Sequence, residues 1–237
     1  MNDVIVGPQN IRERPAWLRW WWISLLAGIV VVVAGIVFGE AIGFAGNPEA
    51  IETGDASVMN FTMLRTVAVC VLSLAAYAIH VRWIEGRDLS ELSMRGGAFG
   101  GAVQEFAVGT LLCAAMISVV VGIMALFGGF TLTEINPVSV IWPAFMMGMY
   151  AGVTEEILMR GLLLRLSERW MGSWLALLLS SLIFGLLHFT NDNSGWLPSL
   201  AIAIEAGLLL GLAYMLTRRL WMVIAMHFSW NFVQGGI

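Results

Sequence analysis

Lysine is absent from this chain, and all twelve of its cationic side chains are arginines. Charge of either sign is scarce: Asp, Glu, Lys and Arg together make up 12% of 237 residues, against 59% hydrophobic ones. So few charges cannot cover the surface of a soluble domain, whose apolar share is roughly 45–50%. Two cysteines exclude a disulfide framework, and both fall inside apolar runs, where thiols are usually inert. No basic cluster is available to bind nucleic acid, and the net charge is -4. Low-complexity linkers and internal repeats are also missing, which argues against a transporter built from duplicated halves. The apolar runs are long and continuous, unlike the short alternating segments of an outer-membrane barrel.

What the sequence does have is length in those runs, with a mean hydropathy of +0.85. A bilayer-crossing helix needs about 20 mainly apolar residues. Seven segments are expected to span: Trp17–Phe38, Phe61–Trp83, Val103–Phe127, Ser139–Leu166, Ser173–Phe189, Leu197–Leu216 and Leu220–Val233. The expected fold is therefore all-α, a polytopic bundle of about seven spans in one transmembrane domain, residues 17–237, behind a short tail, residues 1–16. The first run is too long for the apolar core of a cleaved leader, so it reads as a retained signal anchor.

Arginine supplies the orientation. Arg12, Arg14, Arg19, Arg82, Arg87, Arg95, Arg165, Arg169, Arg218 and Arg219 flank the spans on one side, whereas the opposite loops hold Glu40, Glu49, Glu52, Asp55, Glu134 and Asp192. Positive charge collects in cytoplasmic loops, which puts the N-terminus in the cytoplasm of a multi-pass protein of the cell membrane. In the longest polar connector, Glu85 to Gly97, Asp88 and Glu91 have the spacing of a capping box opening a short interfacial helix, with a solvated connector as the alternative.

Ionisable residues inside spans are costly and usually face the bundle interior. Six draw attention here: Glu155, Glu156, Arg160, His188, Glu205 and His227. Glu156 and Arg160 are four apart on one helical face and can pair, leaving Glu155 free to meet another span. A buried clip between helices needs one Glu, not two. His188 closes "FGLLH", and His227 and Asn231 sit four apart in "HFSWN". Counted at about 1.5 Å per residue from the inner boundaries, all three spans bring these groups to similar depths. An acid and an imidazole across a water suit general-base hydrolysis, with Glu155 and His188 moving protons. His227 and Asn231 would then supply donors for an oxyanion.

The rival account is a zinc site on Glu155, His188 and His227. No HExxH pair occurs, and the metal-free site is preferred. Glu205 reads as structural, a partner of Arg65 or a cavity-lining group beside Gly207 and Gly211, whose spacing suits close helix contact.

Taken together, "EEILMR", "FGLLH" and "HFSWN" resemble the EExxxR, FxxxH and HxxxN motifs of the CAAX-protease and bacteriocin-processing (CPBP, or Abi) intramembrane endopeptidases, over about residues 139–233. The resemblance implies an all-helical protease acting on a membrane-associated protein or peptide. Glu155 and His188 would activate water, His227 and Asn231 would stabilise the transition state, and Glu156 and Arg160 would be the supporting pair. Family descriptions include both metallo and glutamic types, so the resemblance leaves the cofactor open. Two other classes remain: a non-catalytic peptide-binding or immunity protein, and a proton- or ion-coupled transporter.

Overall fold

The computed structural model describes residues 20–43, 56–191 and 194–236, so the tail at 1–16, Arg12, Arg14, Arg19, Glu49, Glu52, Asp55 and Asp192 lie outside the described residues. Within them the chain is all-helical, as its apolar runs require. Helix α1 is Trp21–Gly43; α2, Ala56–Ile79, widens into a π-turn at His80–Ile84; α3 is Ala102–Leu126. Helix α4, Ile141–Glu156, continues through a π-helical stretch, Ile157–Leu164, into α5, Arg165–Met171. Helix α6 is Ser173–Leu187; α7, Trp196–Ile202, runs through a π-turn, Ala203–Leu208, into α8, Leu209–Thr217; α9 is Leu220–Gly236.

These make seven rods among the described residues, at the places the apolar runs mark. Four are long and apolar enough to cross a membrane by length and composition: Trp21–Ile42, Thr62–Ile84, Ala102–Leu126 and Trp196–Thr217. Their outward faces are apolar; Val30, Val103 and Leu111 are all well exposed. Helices α6 and α9 are shorter: their 15 and 17 residues reach about 22 and 26 Å, below the ~30 Å hydrocarbon core.

Helix α9 is packed tightly by α3 and α4. A Cβ on Gly152 would lie 2.9 Å from the Ile224 carbonyl oxygen, and one on Gly109 would lie 2.5 Å from that of Met222. Only glycine lets the backbones approach so closely. Gly207 plays the same part between the α7–α8 rod and α6, where an added Cβ would meet Ser181 at 2.9 Å. The sequence spacing of Gly207 and Gly211 anticipates this contact. Between α5 and α6 lies Gly172, whose φ of 79° with ψ of 168° is a positive-φ conformation that side chains rarely adopt.

At the arginine-rich end the connector departs from expectation. Ser90–Leu92 is a single 3-10 turn with no side-chain cap, so Asp88 and Glu91 form no capping box. Glu91 instead turns inward and accepts from Arg87 at 2.8 Å. A second acid, Glu85, is fully buried and meets His80 Nε2 at 2.9 Å, Arg87 Nε at 2.9 Å and both terminal nitrogens of Arg165, with Arg169 at 3.3 Å. Electrostatics wins over interfacial amphipathicity here: once the Arg165 guanidinium is buried by α4–α5 packing, carboxylates must follow it inside. His80 lies wholly inside this knot, a role that no local spacing in its mainly apolar helix reveals.

Burial pushes the Glu85 carboxyl up, but Arg165, the His80 hydrogen bond and Arg87 outweigh it and hold the group well below the usual carboxylate range. Glu91 is held low in the same way, burial opposing and Arg165 and Arg87 prevailing. Both folded-state values are depressed, so the stability they contribute is present above the unfolded value of about 4.3 and is lost as pH falls through the folded values. The thermal midpoint in detergent is expected to be level from pH 7 to about 5 and to fall below about 4.3. Glu91→Gln should flatten that fall; an unchanged acid limb in this variant would contradict the account.

Candidate active site

Helix α4 brings Glu155 and Glu156 to the centre of the bundle and then loosens into the π-helical stretch that carries Arg160. Such widened turns frequently occur at functional sites. The two carboxylates diverge as consecutive helical residues must. Glu156 is fully buried, and its Oε1 accepts from Arg160 at 2.8 Å. The Glu155 side chain is 35% exposed and opens into a cavity of about 460 Å³.

Two histidines meet Glu155 there. His188, at the C-terminal cap of α6, and His227, in the middle of α9, each hold Nε2 at 3.9 Å from the same Glu155 Oε2. Their other ring nitrogens are engaged. His188 Nδ1 donates to the Phe184 carbonyl at 2.7 Å, and His227 Nδ1 donates to Glu156 Oε1 at 2.8 Å. A carbonyl and a carboxylate only accept, so both Nδ1 atoms carry hydrogen and each Nε2 is the ring nitrogen left to face Glu155.

Phe184 joins these parts. Its ring lies 4.7 Å from the Arg160 guanidinium carbon, 4.7 Å from the His188 ring centre and 5.8 Å from that of His227, edge-on at 74°. It packs both imidazoles against a cation while keeping that cation out of the cavity. Arg160, 1% exposed, also donates to the carbonyls of Ala206 and Gly207 at 3.3 and 3.1 Å, tying α4 to the π-turn of the sixth rod.

Every residue singled out in the three motifs therefore gathers around one site. Glu155, His188, His227 and Asn231 line the cavity, and Glu156 and Arg160 lie behind it. The Glu156–Arg160 pair forms as its spacing suggests. The sequence reading did not show that Glu156 also holds His227, 71 positions away, since no local spacing encodes that contact. Glu205 lines the same cavity, while Arg65 pairs with Glu40 at 2.7 Å instead. Trp230 and Gln234, one and two turns along α9 from His227, line it too; their spacings of three and seven from that histidine were the available signal.

The donor set suits zinc chemically: a carboxylate and two imidazoles, each oriented by a bond from Nδ1. The spacing does not suit it. Ligands bonded at about 2.0–2.1 Å stand about 3.4 Å apart at tetrahedral angles and at most about 4.2 Å apart in line. At 3.9 Å, both Glu155–His separations correspond to angles of about 135–140°, wider than tetrahedral. Among the described residues no three His, Cys, Asp or Glu side chains group closely enough to hold a metal ion. A water at about 2.8 Å from Glu155 Oε2 and from one Nε2 subtends about 90°, close to the angle between its own two O–H bonds.

The fold and site thus define an integral-membrane helical bundle with an acid–imidazole centre inside it. Residues 137–233, about two fifths of the chain, match the model of one family, described as type II CAAX prenyl endopeptidase Rce1-like. Over that stretch the chain is similar to the CAAX-protease class of membrane hydrolases, the class its three motifs resemble. No curated protein and no solved structure matches the chain.

Proposed function

We propose that the protein is an intramembrane endopeptidase that hydrolyses a peptide bond of a membrane-associated protein or peptide, with Glu155 as general base and no metal. One observation carries this reading: two imidazole Nε2 atoms face one carboxylate oxygen at equal distances of 3.9 Å inside a cavity of the bundle.

Water held between Glu155 Oε2 and His188 Nε2 donates one hydrogen to each and aims its lone pair into the cavity. As it attacks a substrate carbonyl, Glu155 takes its proton. The carbonyl becomes an oxyanion, to which His227 donates from Nε2 when its ring carries protons on both nitrogens, and Asn231 donates from its carboxamide. Glu156, fixed by Arg160, holds the His227 ring in place through Nδ1. The proton on Glu155 then passes to the leaving nitrogen, the C–N bond breaks, and both carboxyl and amine products are released.

The test is cleavage of a membrane-inserted peptide library by the purified protein in liposomes, with and without a chelator. Cleavage that persists after exhaustive chelation supports the reading. Activity lost to chelator and restored by zinc would replace it with the metal account, and peptide binding without cleavage would favour a non-catalytic role.

A further inference from the structure

Pairing divides the acids of the described chain into two groups. Glu40, Glu85, Glu91, Glu105, Glu156 and Glu168 each stand within ion-pair distance of an arginine. Among the described residues, four acids have no arginine partner: Asp88 and Glu134, exposed in connectors, and Glu155 and Glu205, which line the same cavity. A bundle that matches its other helix-borne acids with guanidinium groups has left two open at one place. The first has a role in the proposed hydrolysis. The second does not.

Glu205 is deep. It is the tenth of 22 residues in the span Trp196–Thr217, roughly 14 Å from the near end at ~1.5 Å per residue. Its side chain is exposed on the cavity wall, where a carboxylate midway along an apolar rod is open to a cationic partner. Its position is also held firmly. It belongs to the π-turn Ala203–Leu208, whose carbonyls at Ala206 and Gly207 accept from Arg160, and whose Gly207 is pressed against Ser181 of α6. The guanidinium that fixes the turn is shielded from the cavity by Phe184 and spent on Glu156, so it does not neutralise Glu205. The cavity lining contains no Lys or Arg and includes the apolar Ile202, Leu209 and Met226 as well as Glu205. An apolar wall bearing an exposed carboxylate on a firmly held turn complements a long aliphatic stem ending in a cation.

Size sets the register. A sphere of about 460 Å³ is about 10 Å across, room for about three residues of extended chain at ~3.3–3.6 Å each. A group reaching Glu205 while the scissile carbonyl lies at Glu155 therefore belongs to a residue close to that bond. Resting on the hydrolytic reading above, we propose that Glu205 is the specificity-determining residue of the site and selects substrates bearing a Lys or Arg side chain within about two residues of the scissile bond.

The experiment uses the full-length protein in detergent and one membrane-soluble peptide series, identical except for Lys, Met or Glu at each of the two positions on either side of the cleaved bond. Competitive kcat/KM is measured for the wild type and Glu205→Gln. Binding of the same labelled peptides is measured by fluorescence anisotropy in the Glu155→Gln background, with and without Glu205→Gln. At one position the wild type should prefer Lys to Met by about tenfold or more, with Glu the poorest substrate, and Glu205→Gln should bring Lys and Met to within about twofold. The binding series should show the same collapse. A wild type that cleaves all three alike, or a Lys preference that survives Glu205→Gln, overturns the proposal and leaves the hydrolytic reading standing. Lys-selective binding lost in Glu205→Gln, without cleavage of any peptide, supports the cation site and sinks the hydrolysis.

Discussion

Glu155→Gln is expected to lower peptide cleavage by about 10²–10⁴-fold, the usual contribution of a positioned general base. The carboxamide keeps the shape of the side chain but has no site to take up water's proton. Its fold should be intact, because the Glu155 side chain is 35% exposed and stands 3.9 Å from His188 and His227, beyond hydrogen-bond distance. The check is kcat/KM beside the thermal midpoint in the same detergent. A loss of activity with an unchanged midpoint supports the assignment; full activity in Glu155→Gln removes Glu155 from the chemistry.

Arg160→Ala should do the opposite kind of damage. The guanidinium neutralises the fully buried Glu156 at 2.8 Å and bonds two carbonyls of the sixth rod. Removing one partner of a buried pair leaves an uncompensated charge and costs about 3–5 kcal/mol. That loss should appear as a lower unfolding midpoint in denaturant titrations. Adding Glu156→Gln should recover part of it, since the stranded charge is then gone, and the coupling energy of the double-mutant cycle measures the pair. Activity should not return with stability in the double variant, because Arg160 also anchors Phe184 and the π-turn. If Arg160→Ala unfolds at the wild-type midpoint, the pair is not the support described here.

Much of this was legible in the chain because helix formation and membrane insertion are local. A continuous apolar run satisfies its own backbone hydrogen bonds and needs nothing distant to define it, and the seven rods lie where those runs are. Glu156 and Arg160, or His227 and Asn231, share a face by spacing alone, and the short α6 between Gly172 and His188 placed an imidazole at depth. The connector misled because Asp88 and Glu91 have capping-box spacing, but the buried Arg165, 80 positions from Glu85, draws Glu85 and Glu91 inward and leaves Asp88 exposed. Local propensity lost to the need to compensate a desolvated cation.

The sequence by itself determined that the chain is a helical membrane bundle, and which acid, imidazoles and carboxamide it carries at matching depths. The tertiary structure decided how they are used. It set Glu156 behind His227, turned both Nε2 atoms to Glu155, enclosed His80 with Glu85, and left Glu205 facing the cavity without a cation. Depth along a rod follows from counting residues. Rotation and pairing between rods depend on glycine contacts and long-range charge compensation, which no single segment contains.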